Sequence, residues 1–168
     1  MKTPKILIFI SVAFSFMLFG CPYEATFPLS NPGESKIDSN YVGFWESVDK
    51  DSKEQLTGIS INAFNDHEYF IEMIMKANSG LMLQNFRAFS TTINQQHFLS
   101  IQDIGNKPKY SFYKYSLVND TLKAIAVSDN FLKEKFKSKE ELASYILNNL
   151  NEPKLYADEH IFVKKKTK

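Results

Sequence analysis

The stretch from residue 55 to residue 76, QLTGISINAFNDHEYFIEMIMK, sets the pattern on which the fold depends. Apolar side chains occupy alternate positions in two runs: Ile59, Ile61 and Ala63, then Tyr69, Ile71, Met73 and Met75. A period of two places such side chains on one face of an extended strand. Asn65-Asp66 lies between the runs, and both residue types tolerate the backbone of a tight turn. The stretch therefore predicts an antiparallel β-hairpin.

The same combination of extended run and turn signal recurs on both sides of this hairpin. Further turn signals are Asn78-Ser79-Gly80, Asn94-Gln95, Gly105-Asn106-Lys107-Pro108 and Asn119-Asp120. The runs that they delimit predict eight strands, at residues 42–48, 55–64, 67–76, 81–91, 96–104, 109–118, 121–127 and 159–165. Short strands joined by tight turns favour an up-and-down antiparallel meander.

The predicted strand at 109–118 carries aromatic residues on both faces. Tyr110 and Phe112 fall on one face, and Tyr113 and Tyr115 fall on the other. This arrangement suits a barrel wall that is covered outside by a helix or by the N-terminal segment. It equally suits a β-sandwich.

One helix is predicted late in the chain. Ser138-Lys139-Glu140-Glu141 has the form of a capping box, with Ser at the N-cap and Glu three residues later. Leu142, Ile146 and Leu150 then recur at four-residue spacing, and Pro153 follows. We expect a helix at about 139–149 that packs its apolar stripe into the core.

Seven strands, one helix and a closing strand form an order that resembles the lipocalin-like (calycin) barrels. Gly43-Phe44-Trp45, at the start of the first strand, resembles the lipocalin G-x-W motif, whose Trp closes the floor of the barrel. The resemblance implies a mainly β fold, a barrel of about eight strands with one α-helix before the last strand. Lipocalins cover that Trp with an Arg near the last strand, where this chain offers Lys164, Lys165 and Lys166 instead. A Lys could replace the Arg by laying its stem over the ring. Any buried Trp in a first strand gives the same three-residue motif.

Residues 1–20 predict an export signal. Lys2 and Lys5 precede an apolar run at residues 6–19. As a helix that run would span about 21 Å, which is shorter than the roughly 30 Å hydrocarbon core of a bilayer. A charged start followed by a short apolar run is typical of a secretory signal peptide.

Leu18-Phe19-Gly20-Cys21 resembles the lipobox of bacterial lipoproteins. The resemblance implies cleavage before Cys21, and acyl chains such as palmitate on that residue would anchor the protein to a membrane of the cell envelope. The outer membrane is favoured because no Asp follows Cys21. The whole chain resembles small lipoproteins of Gram-negative envelopes. The alternatives are an ordinary signal peptide with an incidental cysteine and an uncleaved anchor.

Residues 21–40 predict a lipidated N-terminus and a flexible tether, and residues 41–168 predict a single domain. The tether is rich in Pro and Ser and has no periodicity, and a random coil of that length would span roughly 25 Å. Alternatively, Tyr23 and Phe27 pin part of this segment to the domain.

Composition and motifs argue against several classes of function. The 20 basic and 19 acidic residues nearly balance, so we expect no nucleic-acid partner. A single cysteine excludes a disulfide framework and a thiolate zinc site. His67-Glu68 begins like H-E-x-x-H, but Ile71 stands where the second His is required. We therefore expect a protein that is not an enzyme, with no catalytic residue, no metal site and no cofactor.

Two features give more specific hypotheses. Arg87 is the only arginine and lies mid-strand, in phase with Leu83 and Phe89. If that face lines the barrel, Arg87 could bind a carboxylate or phosphate of a ligand; otherwise it lies outward across Phe rings. The terminal lysine run at 164–168 could contact anionic lipid, or form a solvated end.

The sequence leads to two expectations for function. The first is a binding module that holds a small apolar or amphipathic molecule in the barrel. The alternative is a barrel filled by its own side chains, which docks onto another envelope protein. The size of the inward side chains distinguishes them, because a lumen packed by Phe, Met and Tyr would exclude a ligand. Small residues facing inward would leave room for a ligand: Gly58, Ser60, Ala124 and Ala126 are the candidates.

Overall fold

The computed structural model describes residues 22–48, 55–77, 80–105, 109–132 and 136–165. The predicted signal peptide and Cys21 lie outside these residues. The strands are β1 (Glu24–Ala25), β2 (Gly43–Ser47), β3 (Gln55–Ala63), β4 (Tyr69–Ala77), β5 (Gly80–Ile93), β6 (Gln96–Asp103), β7 (Tyr110–Val118), β8 (Thr121–Val127) and β9 (Tyr156–Lys164). Helix α1 (Lys139–Asn148) precedes β9, and short 3-10 turns lie at Pro32–Glu34, Ser39–Tyr41 and Pro153–Leu155.

Strands β2 to β9 form a closed antiparallel barrel of eight strands. Each strand from β2 to β8 pairs with the next strand along the chain, and helix α1 lies in the sequence between β8 and β9. Strand β9 then pairs with both β8 and β2, which closes the barrel. The predicted fold class is confirmed: the chain is mainly β, with one helix before the last strand, consistent with a lipocalin-like barrel.

Two tight turns occur where the sequence predicts them, whereas Asn78-Ser79 and Asn106-Lys107-Pro108 lie outside the described residues. Asn94 and Gln95 have φ values of 47° and 64°, and Asn119 and Asp120 have φ values of 48° and 60°. Two successive residues with positive φ form the turn whose twist matches that of the flanking strands. These turns hold β5 against β6 and β7 against β8.

The barrel wall is apolar on both faces where it is covered. Inside, Trp45, Ile71, Tyr115 and Phe162 belong to one buried cluster. Outside, a second cluster lies between the wall and the covering elements; its buried members are Ala25, Leu29, Ile93, Phe98, Phe112, Val127, Leu132, Phe136, Leu142, Ile146, Leu150 and Leu155. Strand β7 contributes to both, because Phe112 points outward and Tyr115 inward. The aromatic residues on both faces of this strand therefore belong to a barrel, not to a sandwich.

Helix α1 packs on the outer face of the barrel. The Glu141 amide donates to the Ser138 hydroxyl at 3.3 Å, which satisfies one of the free amides at the helix start. Leu142 and Ile146 are fully buried in the outer cluster. Among the described residues, no helix has both the length and the hydropathy that spanning a membrane requires.

The segment predicted as a flexible tether is bound to the barrel from Pro22 onward, and this corrects the prediction for residues 21–40. Strand β1 pairs with β7 through Glu24 and Ala25. The Leu29 side chain is buried, and the Leu29 amide donates to the Ser100 hydroxyl at 3.2 Å. Phe98 and Phe112 lie on the outer faces of β6 and β7, and this segment helps to remove them from water. The Tyr23 ring lies 6.2 Å from the Phe112 ring. Tyr23 thus attaches the segment to the domain, in agreement with the alternative given by the sequence analysis.

Candidate functional site

Trp45 closes one end of the barrel. Its side chain is fully buried, and Nε1 donates to the backbone oxygen of Tyr41 at 2.7 Å. The Tyr41 ring meets the Tyr115 ring edge-on at 5.1 Å. Lys164 covers the indole, with its Nζ 5.1 Å from the ring and donating to the Asn40 oxygen at 2.7 Å. Lys164 thus takes the position that the resemblance assigns to an Arg.

Two glycines make this close packing around Trp45 possible. Gly43 has a φ of 136°, and a Cβ there would lie 3.1 Å from the Lys164 side chain. A Cβ on Gly58 would lie 2.4 Å from the Trp45 backbone oxygen. The absence of a side chain at Gly58 therefore allows β3 to approach β2 closely, at a point where the register of β3 against β4 is irregular.

Beyond the Trp45 floor, the barrel encloses a cavity of about 880 Å³. This volume lies within the range of small-molecule sites, about 300–1,000 Å³. Most of its wall is apolar, formed by Leu56, Ile59, Ile61, Ile71, Met73, Met75, Phe86, Leu99, Ile101, Leu122, Ala124 and Phe162. An eight-stranded barrel is wide enough to leave such a space even when large side chains line it.

Of the four small residues expected to leave room, Ala124 lines the cavity. Gly58 packs on the backbone of β2, as described above. Ser60 lies between the inward residues Ile59 and Ile61, so it faces outward, where Asn62 Nδ2 donates to its hydroxyl at 3.1 Å. Ala126 is buried but does not line the cavity. The space therefore arises mainly from the barrel diameter.

The end opposite Trp45 forms the mouth of the cavity. The end of β4, the start of β5, the end of β6 and the start of β7 meet there, together with Pro22 and β1. Lys109 Nζ and Glu24 Oε2 form an ion pair at 2.6 Å. Gln84 Nε2 donates to Asp103 Oδ2 at 3.0 Å. These polar and charged groups thus lie on the β5–β6–β7 side of an opening that leads to an apolar interior.

A few polar side chains also line the cavity wall: Ser47, Ser111, Tyr113, Tyr115 and His160. Burial raises the pKa of Tyr113, and the negative charge of Asp158 raises it further. At neutral pH Tyr113 therefore keeps its proton and can donate a hydrogen bond into the cavity. Tyr115 is already engaged, because its hydroxyl lies 2.7 Å from the Ser90 hydroxyl.

Arg87 does not line the cavity, which corrects the hypothesis that it binds a ligand there. Its neighbour Phe86 faces the cavity, so alternation turns Arg87 outward. Its Nη2 donates to both carboxylate oxygens of Glu68, at 2.7 and 2.6 Å, and its guanidinium carbon lies 4.6 Å from the centre of the Phe64 ring. Arg87 therefore points outward and lies on a Phe ring, which is the alternative given by the sequence analysis.

The histidines lie in three different places. His67 Nδ1 lies 2.7 Å from the Ser35 oxygen, and His97 Nδ1 lies 3.2 Å from the Thr92 hydroxyl. His160 lines the cavity. Within the described part of the chain, no group of three or more His, Cys, Asp or Glu side chains could hold a metal ion.

Sequence reasoning did not identify His160, Tyr113 or the charged mouth as parts of one site. Alternation places Tyr113 on one face, but the sequence does not show which face is inside. Glu24 and Lys109 are far apart in the chain, so no local sequence pattern predicts that they form an ion pair.

Comparison with known proteins gives no relative from which a role could be carried over. No protein-family model, no curated protein and no solved structure matches the chain.

Proposed function

We propose that the protein is a lipid-anchored, non-enzymatic binding module that holds a small apolar or amphipathic molecule in its barrel. The cavity of about 880 Å³ with its largely apolar wall is the observation that carries this proposal. Transfer of apolar surface from water into such a wall contributes about 25 cal/mol per Å².

The distribution of polar groups favours an amphipathic ligand. The wall near the floor is formed by residues such as Ile61, Ile71 and Leu122, which offer no hydrogen bonds. Tyr113, His160 and the ionic groups of the mouth offer donors and acceptors to a polar head. An apolar tail that points to the floor and a head near the mouth would satisfy both regions.

The anchor in this proposal is the acylated Cys21 that the lipobox resemblance implies, in a membrane of the cell envelope and preferably the outer membrane. Several acyl chains, at about 0.8 kcal/mol per buried methylene, hold a protein stably on a bilayer. The bound N-terminal segment supports a short connection, because Pro22 already lies at the cavity mouth. The alternative of a filled barrel that docks onto an envelope protein is less well supported, since it requires the lumen to be occupied by side chains.

A pair of matched substitutions on β7 tests the binding proposal. Ser111 lines the cavity and Ser116 is exposed on the outer face, so Ser111→Phe narrows the cavity while Ser116→Phe adds the same ring outside. We expect Ser111→Phe to weaken binding of the probe 1-anilinonaphthalene-8-sulfonate by about tenfold, which is about 1.4 kcal/mol. Ser116→Phe should leave the affinity within about twofold of wild type. Fluorescence titration measures both values.

Native mass spectrometry of the gently purified protein complements the titration. A discrete excess mass that is lost on denaturation would identify the class of natural ligand. Equal probe affinity of the Ser111→Phe variant and wild type would show that the cavity is not the binding site.

A further inference from the structure

At the barrel mouth, strands β3, β4 and β5 extend beyond the end of β6. Strand β5 pairs with β4 from Gly80 onward, but its ladder with β6 begins only at Phe86. One further hydrogen bond, from the Ile104 amide to the Asn85 oxygen at 3.1 Å, ends the contact on that side. The first residues of β5 therefore form, with the end of β4 and the start of β3, a three-stranded ribbon at the mouth.

This ribbon exposes apolar side chains on both faces. Leu81 and Leu83 lie on one face with 70% and 63% of their surface exposed, and Met82 lies on the other with 50% exposed. Ile104 and Val48, at the ends of β6 and β2, are also exposed at this end of the barrel. We call these five residues the apolar rim. Exposed large apolar side chains mark a candidate interaction surface. Phe64, Val118 and Val163 are likewise exposed at the Trp45 end, so a second observation has to choose between the two ends.

The N-terminal segment brings the membrane anchor to the same end. Pro22 bridges to Ser128 and lines the cavity mouth, and β1 then fixes the chain to the start of β7. The apolar run ends at Phe19, three peptide units before Pro22. Cys21 directly precedes Pro22 in the sequence, so an acyl group on Cys21 would be joined to the mouth through a single peptide bond. Acyl chains on Cys21 and an uncleaved apolar run would both hold the mouth next to the bilayer.

We propose that the apolar rim rests on the bilayer that anchors the protein, so that the cavity opens toward the membrane and takes an acyl-chain lipid directly from it. This inference rests on the proposed function and adds the source of the ligand. In the ribbon, the backbone amides and carbonyls on the β6 side of β5 form no ladder with β6. Backbone groups without hydrogen bonds cost free energy in hydrocarbon. The rim therefore inserts its side chains while its backbone stays at the hydrated headgroup level.

The opposite orientation is the competing arrangement. Lys164 and Lys165 lie at the Trp45 end, where the terminal lysine run could meet anionic lipid. In the structure Lys164 is held on Trp45 and Asn40, and Lys165 Nζ lies 3.7 Å from Glu46 Oε2. The two orientations place opposite ends of the barrel on the membrane, so one measurement separates them.

Tryptophan quenching measures which end contacts lipid. The chain has one Trp, which is buried at the end opposite the mouth, so wild type supplies the background. Leu83→Trp adds a Trp to the rim, and Val118→Trp adds one at the Trp45 end, where Val118 is also 63% exposed. The full-length protein is reconstituted in vesicles of phosphatidylcholine, with and without phosphatidylglycerol, whose acyl chains carry bromine.

We expect bromine to quench about half of the emission that the new Trp adds in Leu83→Trp, because bromine quenches only at near contact. It should quench less than about a tenth of the emission that the new Trp adds in Val118→Trp, and less than about a tenth of the Trp45 emission of wild type. Stronger quenching in Val118→Trp than in Leu83→Trp would overturn the proposal in favour of the opposite orientation. Quenching of neither variant would overturn it as well, and the mass of the solubilised protein would then show whether a second copy covers the rim.

Probe transfer separates this inference from the proposed function. The double variant Leu81→Lys/Leu83→Lys should slow the transfer of a fluorescent fatty acid from vesicles to the protein by about tenfold, since lysine ammonium groups resist burial in lipid. Its affinity for the same probe added in water should stay within about twofold of wild type. Unchanged transfer would contradict a membrane-seated rim. Absence of probe binding in wild type would refute the proposed function, whereas the quenching pattern would still report the orientation.

Discussion

Lys164 stabilises the closed end of the barrel through two interactions of one charged group. Its Nζ lies over the Trp45 ring and donates to the Asn40 oxygen, while the stem packs beside Gly43. A cation over an aromatic ring contributes about 0.5–2 kcal/mol, depending on how far it is desolvated. The buried Trp thus gains a cover that holds the 3-10 turn Ser39–Tyr41 in place.

At this scale we expect Lys164→Met to lower the free energy of unfolding by about 1–2 kcal/mol, because Met keeps the stem but loses the charge and the hydrogen bond. Urea denaturation followed by Trp45 fluorescence measures the loss. Lys165→Met is the matched control, since Lys165 makes only an exposed ion pair with Glu46, and it should cost less than about 0.5 kcal/mol. Equal effects of the two variants would contradict the role given to Lys164.

Among the elements, the N-terminal segment behaves as part of the fold. It runs from β1 over the outer face of the barrel, and backbone and side-chain hydrogen bonds join it to β5 and β6. Ser35 Oγ, for example, donates to the Ser90 oxygen at 2.7 Å. This attachment fixes the segment to the barrel wall as far as the cavity mouth, so the segment contributes to the stability of the fold.

We expect Leu29→Ala to lower the free energy of unfolding by about 2–4 kcal/mol, because it removes a buried side chain and leaves a cavity in the outer cluster. Thr26→Ala, at an exposed position of the same segment, should change it by less than about 0.5 kcal/mol. Chemical denaturation of both variants checks this. If Leu29→Ala proved as mild as Thr26→Ala, the segment would be a tether after all.

For the molecule as a whole, the burial of tyrosines couples stability to alkaline pH. Burial is the main cause that raises the pKa above its ordinary value of about 10 in Tyr23, Tyr41, Tyr69, Tyr113, Tyr115 and Tyr156. Above pH 10 the unfolded chain releases these protons before the folded chain does. The stability that neutral tyrosines provide is therefore complete below about pH 10 and falls as the pH rises further.

We expect the free energy of unfolding to fall between pH 10 and pH 11 by at most about 1.4 kcal/mol for each tyrosine that stays protonated in the folded state. Tyr115→Phe should flatten this dependence, because it removes one of the most deeply buried hydroxyls. Ser90→Ala is the control, since it removes the hydrogen bond to Tyr115 but keeps the phenol. Urea unfolding at a series of pH values gives the slopes, and equal stability at pH 8 and pH 11 would contradict the expectation.

Local sequence patterns determined the elements of this protein. Alternation and turn residues predicted the eight barrel strands, and a capping box with four-residue spacing predicted α1, because strand and helix periodicities and turn backbones are local properties. The Gly43-Phe44-Trp45 motif also pointed correctly to the buried Trp45 at the end of the barrel.

Only the tertiary structure decided which face of each strand is inside, and therefore what the site contains. A side chain's face depends on register and closure, which join residues far apart in the chain. For this reason the sequence leaves both faces open to Arg87, which lies outside the barrel in the structure, whereas Tyr113 and His160 line the cavity. The attachment of the N-terminal segment likewise depends on Phe98 and Phe112, which lie together on the outer face only once β6 and β7 have paired.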